Sequence, residues 1–141
     1  MKAIVCTIPS DSHSWNLVFM SLFLQDHGYD VVNLGACTPI SSILQEIYRN
    51  RPDLILVSTV NGHGYIEGVD IAKKLKSNNA TKNIKLVIGG KVGVSGDENI
   101  KHLEVLVNSG FDGVFIENSS SDGLNEFILF LESIGKEINV A

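Results

Sequence analysis

Five short apolar runs rich in β-branched residues alternate along the chain with five longer segments of helical spacing, and this alternation limits the possible folds more than any single residue does. The runs are Ala3 to Ile8, Asp30 to Leu34, Leu54 to Thr59, Lys85 to Ile88 and Gly113 to Ile116. Near-continuous apolar character marks strands covered on both faces, which calls for a parallel sheet between layers of helices. Helical periodicity covers roughly His13 to His27, Ile40 to Arg49, Gly64 to Lys76, Glu98 to Ser109 and Ser121 to Ile134.

The punctuation agrees with these boundaries. Gly28 and Gly110 each follow a helical pattern and precede an aromatic residue and an Asp, as a left-handed helix stop before a strand would require. Pro39 opens the second helix where a missing N–H costs nothing, and Pro52 prevents that helix from continuing. Alternating βα units with short connections predict a flavodoxin-like (Rossmann-like) three-layer α/β/α fold. Its five-stranded parallel sheet has the order 2-1-3-4-5, right-handed crossovers and a switch point between strands 1 and 3. The stretches Ser77 to Asn83 and Asn118 to Asp122 read as loops, and no linker or repeat divides the chain, so residues 1–141 are expected to form one domain.

Charge and composition exclude several classes of function. A chain of 141 residues that is 44% hydrophobic can bury a core of its own. A net charge of −5, with no run of Lys or Arg, lacks the clustered basic face that nucleic-acid binding needs. Cys6 and Cys37 show neither CxxC spacing nor a pairing pattern, which suits free thiols in a reducing cytoplasm. No apolar stretch reaches the length of a membrane span, so a soluble, cytoplasmic protein is expected.

Chemistry gathers at the carboxyl ends of the strands, where open α/β sheets bind ligands. Asp11-Ser12-His13 follows the first strand beside the switch point. A neutral imidazole can ligate a metal through one nitrogen while the other donates to a carboxylate, and Asp11 stands two positions before His13. Taken alone, the tripeptide reads more readily as a capping Asp and an exposed loop histidine. Ser58 ends the third strand, where its hydroxyl can reach a ligand; Gly89-Gly90 ends the fourth, where absent side chains let a bulky group approach the backbone. Each also has a bland reading, as a turn residue and a tight connection. Gly62, Gly64 and Gly68 miss the dinucleotide fingerprint because Glu67 stands where its third glycine belongs. His63 joined to Asp11 and His13 in a zinc or iron site makes a thin constellation. A phosphoacceptor receiver would need an Asp where Ser58-Thr59 stands. His27 and His102 read as surface residues, and Cys6 as core.

The three pieces together resemble the pattern of the cobalamin-binding domain family: D-x-H-x-x-G, about forty residues, S-x-L, somewhat under thirty residues, then G-G. Here forty-one residues separate Asn16 from Ser58, and twenty-eight separate Val60 from Gly89. The resemblance covers nearly the whole chain. With the first strand beginning near residue 3 and no helical cap before it, the chain looks most like the free-standing small (sigma) subunits of glutamate mutase, or methylaspartate mutase. Asn16 stands where the pattern has Gly, and Val60 where it has Leu. The second change keeps an apolar wall, while the first bears on the entrance of a ligand slot more than on the fold.

The resemblance implies a set of roles. His13 would be the axial ligand of cobalt in adenosylcobalamin, with Asp11 accepting from its other nitrogen. Ser10, Asp11, Ser12, His13 and Ser14 would form the loop beneath the corrin. The displaced nucleotide tail would enter a slot lined by Ser58, Thr59, Val60, Gly89 and Gly90, with Lys91, Val92, Gly93 and Val94 continuing its wall. Residues 61–64 would face the corrin edge or a partner. The cofactor's cobalt–carbon bond would supply the radical for interconverting glutamate and 3-methylaspartate, an isomerase reaction in which this chain contributes no acid–base residue. Arg49 and Arg51 fall away from the cleft loops, so the substrate would be held by a larger barrel subunit, in a heterotetramer of two small and two large chains. The alternative is a non-catalytic corrinoid carrier or sensor.

Overall fold

The computed structural model describes residues 1–91, 99–116 and 123–140. Its elements run β1 (Lys2–Cys6), α1 (Trp15–Asp26), β2 (Asp30–Asn33), α2 (Ile40–Asn50), β3 (Leu54–Thr59), α3 (Gly64–Lys76), β4 (Lys85–Gly90), α4 (Asn99–Ser109), β5 (Gly113–Ile116) and α5 (Gly123–Val140). All neighbouring strands pair in parallel, in the order β2-β1-β3-β4-β5, as the alternation of apolar runs and helices leads one to expect.

The period of two along each central strand divides the core into two layers. Ala3, Val5, Leu54, Leu56 and Val87 face one way and cluster with Leu17 and Leu24 of α1 and Phe127 and Leu131 of α5. Ile4, Cys6, Ile55, Val57, Leu86 and Ile88 face the other way, against Ile43 and Ile47 of α2, Ile71 and Leu75 of α3 and Leu106 of α4. β3 is buried at every position, whereas the edge strand β2 is only half-buried at Val31 and Val32. Burial pushes the Cys6 thiol up to about 12, so it stays protonated as a small core residue.

The two Gly-aromatic-Asp stops share one geometry. Gly28 and Gly110 have φ of 89° and 128°; Tyr29 N–H reaches back to Leu24 O at 3.1 Å, and Phe111 N–H to Leu106 O at 3.3 Å. Both aromatic rings are buried, and the following Asp leads into the next strand. Asp112 accepts the Leu86 N–H and the Lys76 ammonium, both at 2.9 Å, which fixes the entrance to β5.

Several boundaries differ from those read in the sequence. β1 ends at Cys6 rather than Ile8, and α1 starts at Trp15 rather than His13 because the intervening residues form the loop described below. β2 stops at Asn33. α2 extends to Asn50 and ends on Arg51 in a left-handed conformation, φ 44°, and Pro39 stands just ahead of its first turn in an extended conformation. α5 carries on through Gly135 to Val140 instead of stopping at Ile134. The expected starts of the last two helices at Glu98 and Ser121, and the loop from Asn118 to Asp122, lie outside the described residues. Within Ser77 to Asn83, Thr81 is buried, its hydroxyl donating to Leu75 O. His102 is also a correction: it is 8% exposed, because its ring stacks on Tyr65 with centroids 3.8 Å apart.

The glycine pair belongs to β4 itself, in register as Ser58↔Gly89 and Thr59↔Gly90. Gly90 has φ 100°, and a Cβ there would lie 2.3 Å from Thr59 O. That carbonyl accepts the Lys91 N–H at 2.8 Å and closes the ladder. Glycine is therefore required at 90 by the backbone alone. Gly90→Ala should lower unfolding free energy by about 3 kcal/mol, from the forced φ and the clash together. Urea unfolding monitored by circular dichroism checks this, and an unchanged midpoint would refute it.

Candidate functional site

The site is assembled by one carboxylate. After β1 the chain turns at Ile8 to Asp11, with Asp11 N–H donating to Ile8 O at 3.1 Å, and this turn drops the Asp11 side chain into the switch point between β1 and β3. Asp11 is 0% exposed and accepts from four donors. Its Oδ1 takes the His13 N–H at 3.0 Å and lies 2.7 Å from His13 Nδ1; its Oδ2 takes the Thr59 hydroxyl at 2.7 Å and the Val60 N–H at 2.9 Å. Four acceptor positions meet four donors, which uses up what a carboxylate can accept.

Burial works to raise the Asp11 pKa. The N–H groups of His13 and Val60, the Thr59 hydroxyl and the His13 ring outweigh it and bring the carboxyl from 3.8 to about 2. An ionised carboxylate only accepts, so the hydrogen between it and His13 belongs to Nδ1. Neutral His13 then carries its lone pair on Nε2, the nitrogen turned away from Asp11, on a ring whose side chain is 59% exposed. The arrangement is an oriented, externally accessible imidazole donor.

Neighbouring groups hold the loop in place. Cys37 N–H donates to Asp11 O at 2.7 Å, and Thr7 N–H to Thr38 Oγ1 at 3.1 Å, binding the β2–α2 loop beneath. On the other side, Glu67 in the first turn of α3 accepts the Ser10 N–H at 3.1 Å and the Ser10 hydroxyl. Asn61 donates to Ser10 Oγ at 3.1 Å and accepts the His63 N–H at 3.0 Å. Glu67 was legible in the sequence only as a failed glycine. Its one hint was an acidic residue in a helix's first turn, which is favoured there for any helix.

Of the residues singled out in the sequence, Asp11, His13, Thr59 and Val60 meet directly. Ser12 and Ser14 are exposed; Ser14 precedes α1, and its carbonyl accepts the Leu17 and Val18 N–H groups at 3.1 Å. Ser58 is bridged to α1. Its Oγ and its carbonyl both accept from Asn16 Nδ2, at 3.0 and 3.1 Å. Gly89 and Gly90 abut Ser58 and Thr59, and Lys91 is exposed beyond them; Val92, Gly93 and Val94 lie outside the described residues. Among the described residues no three His, Cys, Asp or Glu side chains are grouped to hold a metal ion. No described helix is long and apolar enough to cross a membrane. Arg49 and Arg51 sit at the carboxyl end of α2, ahead of β3 and so at the opposite end of the strands, with Arg49 3.9 Å from Glu46. Beside the site, α1 exposes Trp15, Val18, Phe19 and Leu22, with Trp15 at 83%.

Comparison with known proteins adds four likenesses to this geometry. Residues 1–119 match the model of the B12 binding domain family. The chain is 29% identical over 114 residues to the glutamate mutase sigma subunit of Fusobacterium nucleatum, covering 81% of this chain and 83% of that one. It is 25% identical over 84 residues to the trimethylamine corrinoid protein of Methanosarcina barkeri, covering 60% of this chain and 39% of that one. Its fold superposes with a TM-score of 0.69 and 20% identity on a cobalamin-binding protein from Desulfitobacterium hafniense, covering 93% of this chain and 57% of that structure.

The Asp11 carboxyl makes stability depend on pH in a fixed direction. With a pKa of about 2 folded and 3.8 otherwise, its contribution is complete above about pH 4 and is lost as pH falls through 2. The loss amounts to roughly 2 kcal/mol. Denaturant unfolding between pH 5 and pH 2 should show this component in the parent chain and not in Asp11→Asn; superimposable pH profiles would refute it.

Proposed function

The chain belongs to the B12-binding domain family, and from that premise we propose that it is the cofactor-binding subunit of an adenosylcobalamin-dependent carbon-skeleton mutase. The observation that carries this reading is His13: an imidazole fixed at Nδ1 by a saturated, buried carboxylate and open at Nε2. A metal-ligating histidine takes this form, its second nitrogen donating to a carboxylate that sets tautomer and orientation. The donor set therefore fits a corrin-bound cobalt, which His13 Nε2 would hold.

Each chain residue has a definite task in this reading. His13 Nε2 offers the lone pair; Asp11, ionised throughout the neutral range, holds the ring in orientation. Thr59 and Val60 hold Asp11, and Glu67 and Asn61 hold Ser10, so the donor is set before any cofactor arrives. Ser12 and Ser14 form the loop's outer surface, and Gly89 to Lys91 the wall beside the tail. Adenosylcobalamin, when bound, supplies the carbon radical on which the rearrangement depends. The reaction is the interconversion of glutamate and 3-methylaspartate, in line with the similarity to a glutamate mutase sigma subunit over 81% of the chain. Both arginines lie at the far end of the strands, so a larger barrel subunit clamps the dicarboxylate, two copies of each chain forming the working enzyme.

The similarity to a trimethylamine corrinoid protein favours a second reading, a carrier that binds a corrinoid without rearranging a substrate. One set of experiments separates them. Absorbance titration with adenosylcobalamin should show uptake with the benzimidazole displaced, and His13→Ala should weaken it at least tenfold; equal affinity removes His13 as the ligand. Added glutamate mutase large subunit should then convert glutamate to 3-methylaspartate, whereas uptake without turnover selects the carrier.

A further inference from the structure

A side chain bridges α1 to the end of β3 beside the His13 loop. Asn16, in the first turn of α1, reaches over a sequence distance of 42 to donate from Nδ2 to both Ser58 O and Ser58 Oγ, at 3.1 and 3.0 Å. A carbonyl only accepts, so the amide orientation is fixed with its nitrogen toward β3. Asn16 Oδ1 is then left buried with no hydrogen-bond partner among the described residues. A buried acceptor in this state is costly.

The position matters more than the bonds. Asp11 touches Thr59 and Val60, the residues directly after Ser58, and His13 stands over Asp11, so Ser58 lies under the imidazole at the switch point between β1 and β3. Any group hanging below a metal on His13 enters there. Asn16 donates to both oxygens of Ser58, and entry means breaking that bridge.

We propose that Asn16 selects among corrinoids: its bridge to Ser58 penalises complete cobalamin, whose nucleotide tail must pass, and spares a corrinoid that lacks the tail. The inference rests on the corrinoid reading of the site. At the typical net value of a buried hydrogen bond, two lost bonds correspond to about a 30-fold weaker tail-dependent affinity.

The test compares aquacobalamin with diaquacobinamide, the same corrin without its nucleotide, by absorbance titration of the parent chain, Asn16→Gly and Asn16→Ala. Free cobinamide has no base of its own to compete with His13, so the decisive quantity is the change in the ratio of the two affinities, rather than the ratio itself. Both substitutions should tighten aquacobalamin about 30-fold and move diaquacobinamide less than threefold. The alanine variant keeps a strong helix former in α1, so that one variant carries the test if the other is unfolded. An unmoved ratio, or weaker aquacobalamin binding in the folded variants, overturns the inference while the His13-dependent uptake still stands. Uptake of neither corrinoid by any of the three proteins overturns the reading of the site and this inference with it.

Discussion

One carboxylate holds the functional end of this molecule together. Asp11 is removed from water, ionised, and divided between two loops: one oxygen serves His13 and the other the end of β3. A buried charge is tolerable only when its hydrogen-bonding capacity is filled, and here four donors fill it. The same bonds that make the charge tolerable also aim the imidazole. Fold and donor geometry therefore cannot be altered separately at this position.

The sheet supplies the rest of the geometry. Because β1 and β3 are neighbours yet separated in sequence by two helices and a strand, residue 11 and residues 59–60 arrive at one point from distant parts of the chain. The β4 glycines lie against Ser58 and Thr59 in register, and Gly90 is needed to let the chain close over the Thr59 carbonyl. Glycines that read as space for a ligand thus have a backbone duty as well. Ser58, read as a hydroxyl able to reach a ligand, also accepts a hydrogen bond from Asn16 of α1.

The extent to which the sequence was legible follows the range of the interactions involved. Strands, helices and strand order could be read because the period-two and 3.6-residue patterns are local and the central strands are apolar on both faces. The start of α1 was misplaced by two residues because Asp11 Oδ1 captures the His13 N–H and so keeps residues 12–14 in a loop. His102 was placed on the surface because a histidine in a helical pattern looks polar, and its stack on Tyr65 depends on α3 and α4 lying side by side. Asp11 and His13 could be paired on local spacing; that Thr59 and Val60 complete the carboxylate's shell, and that Glu67 anchors Ser10, depends on contacts spanning 48 to 57 residues. No local pattern encodes those.

Trp15 is the sole indole in the chain, and it stands two positions past His13, almost fully in water. All tryptophan emission from this protein consequently originates at the rim of the imidazole site. A tetrapyrrole seated on that rim would quench this emission by non-radiative energy transfer from the excited indole. The chain thus carries its own unlabelled optical gauge of occupancy, placed by nothing more than the end of a loop.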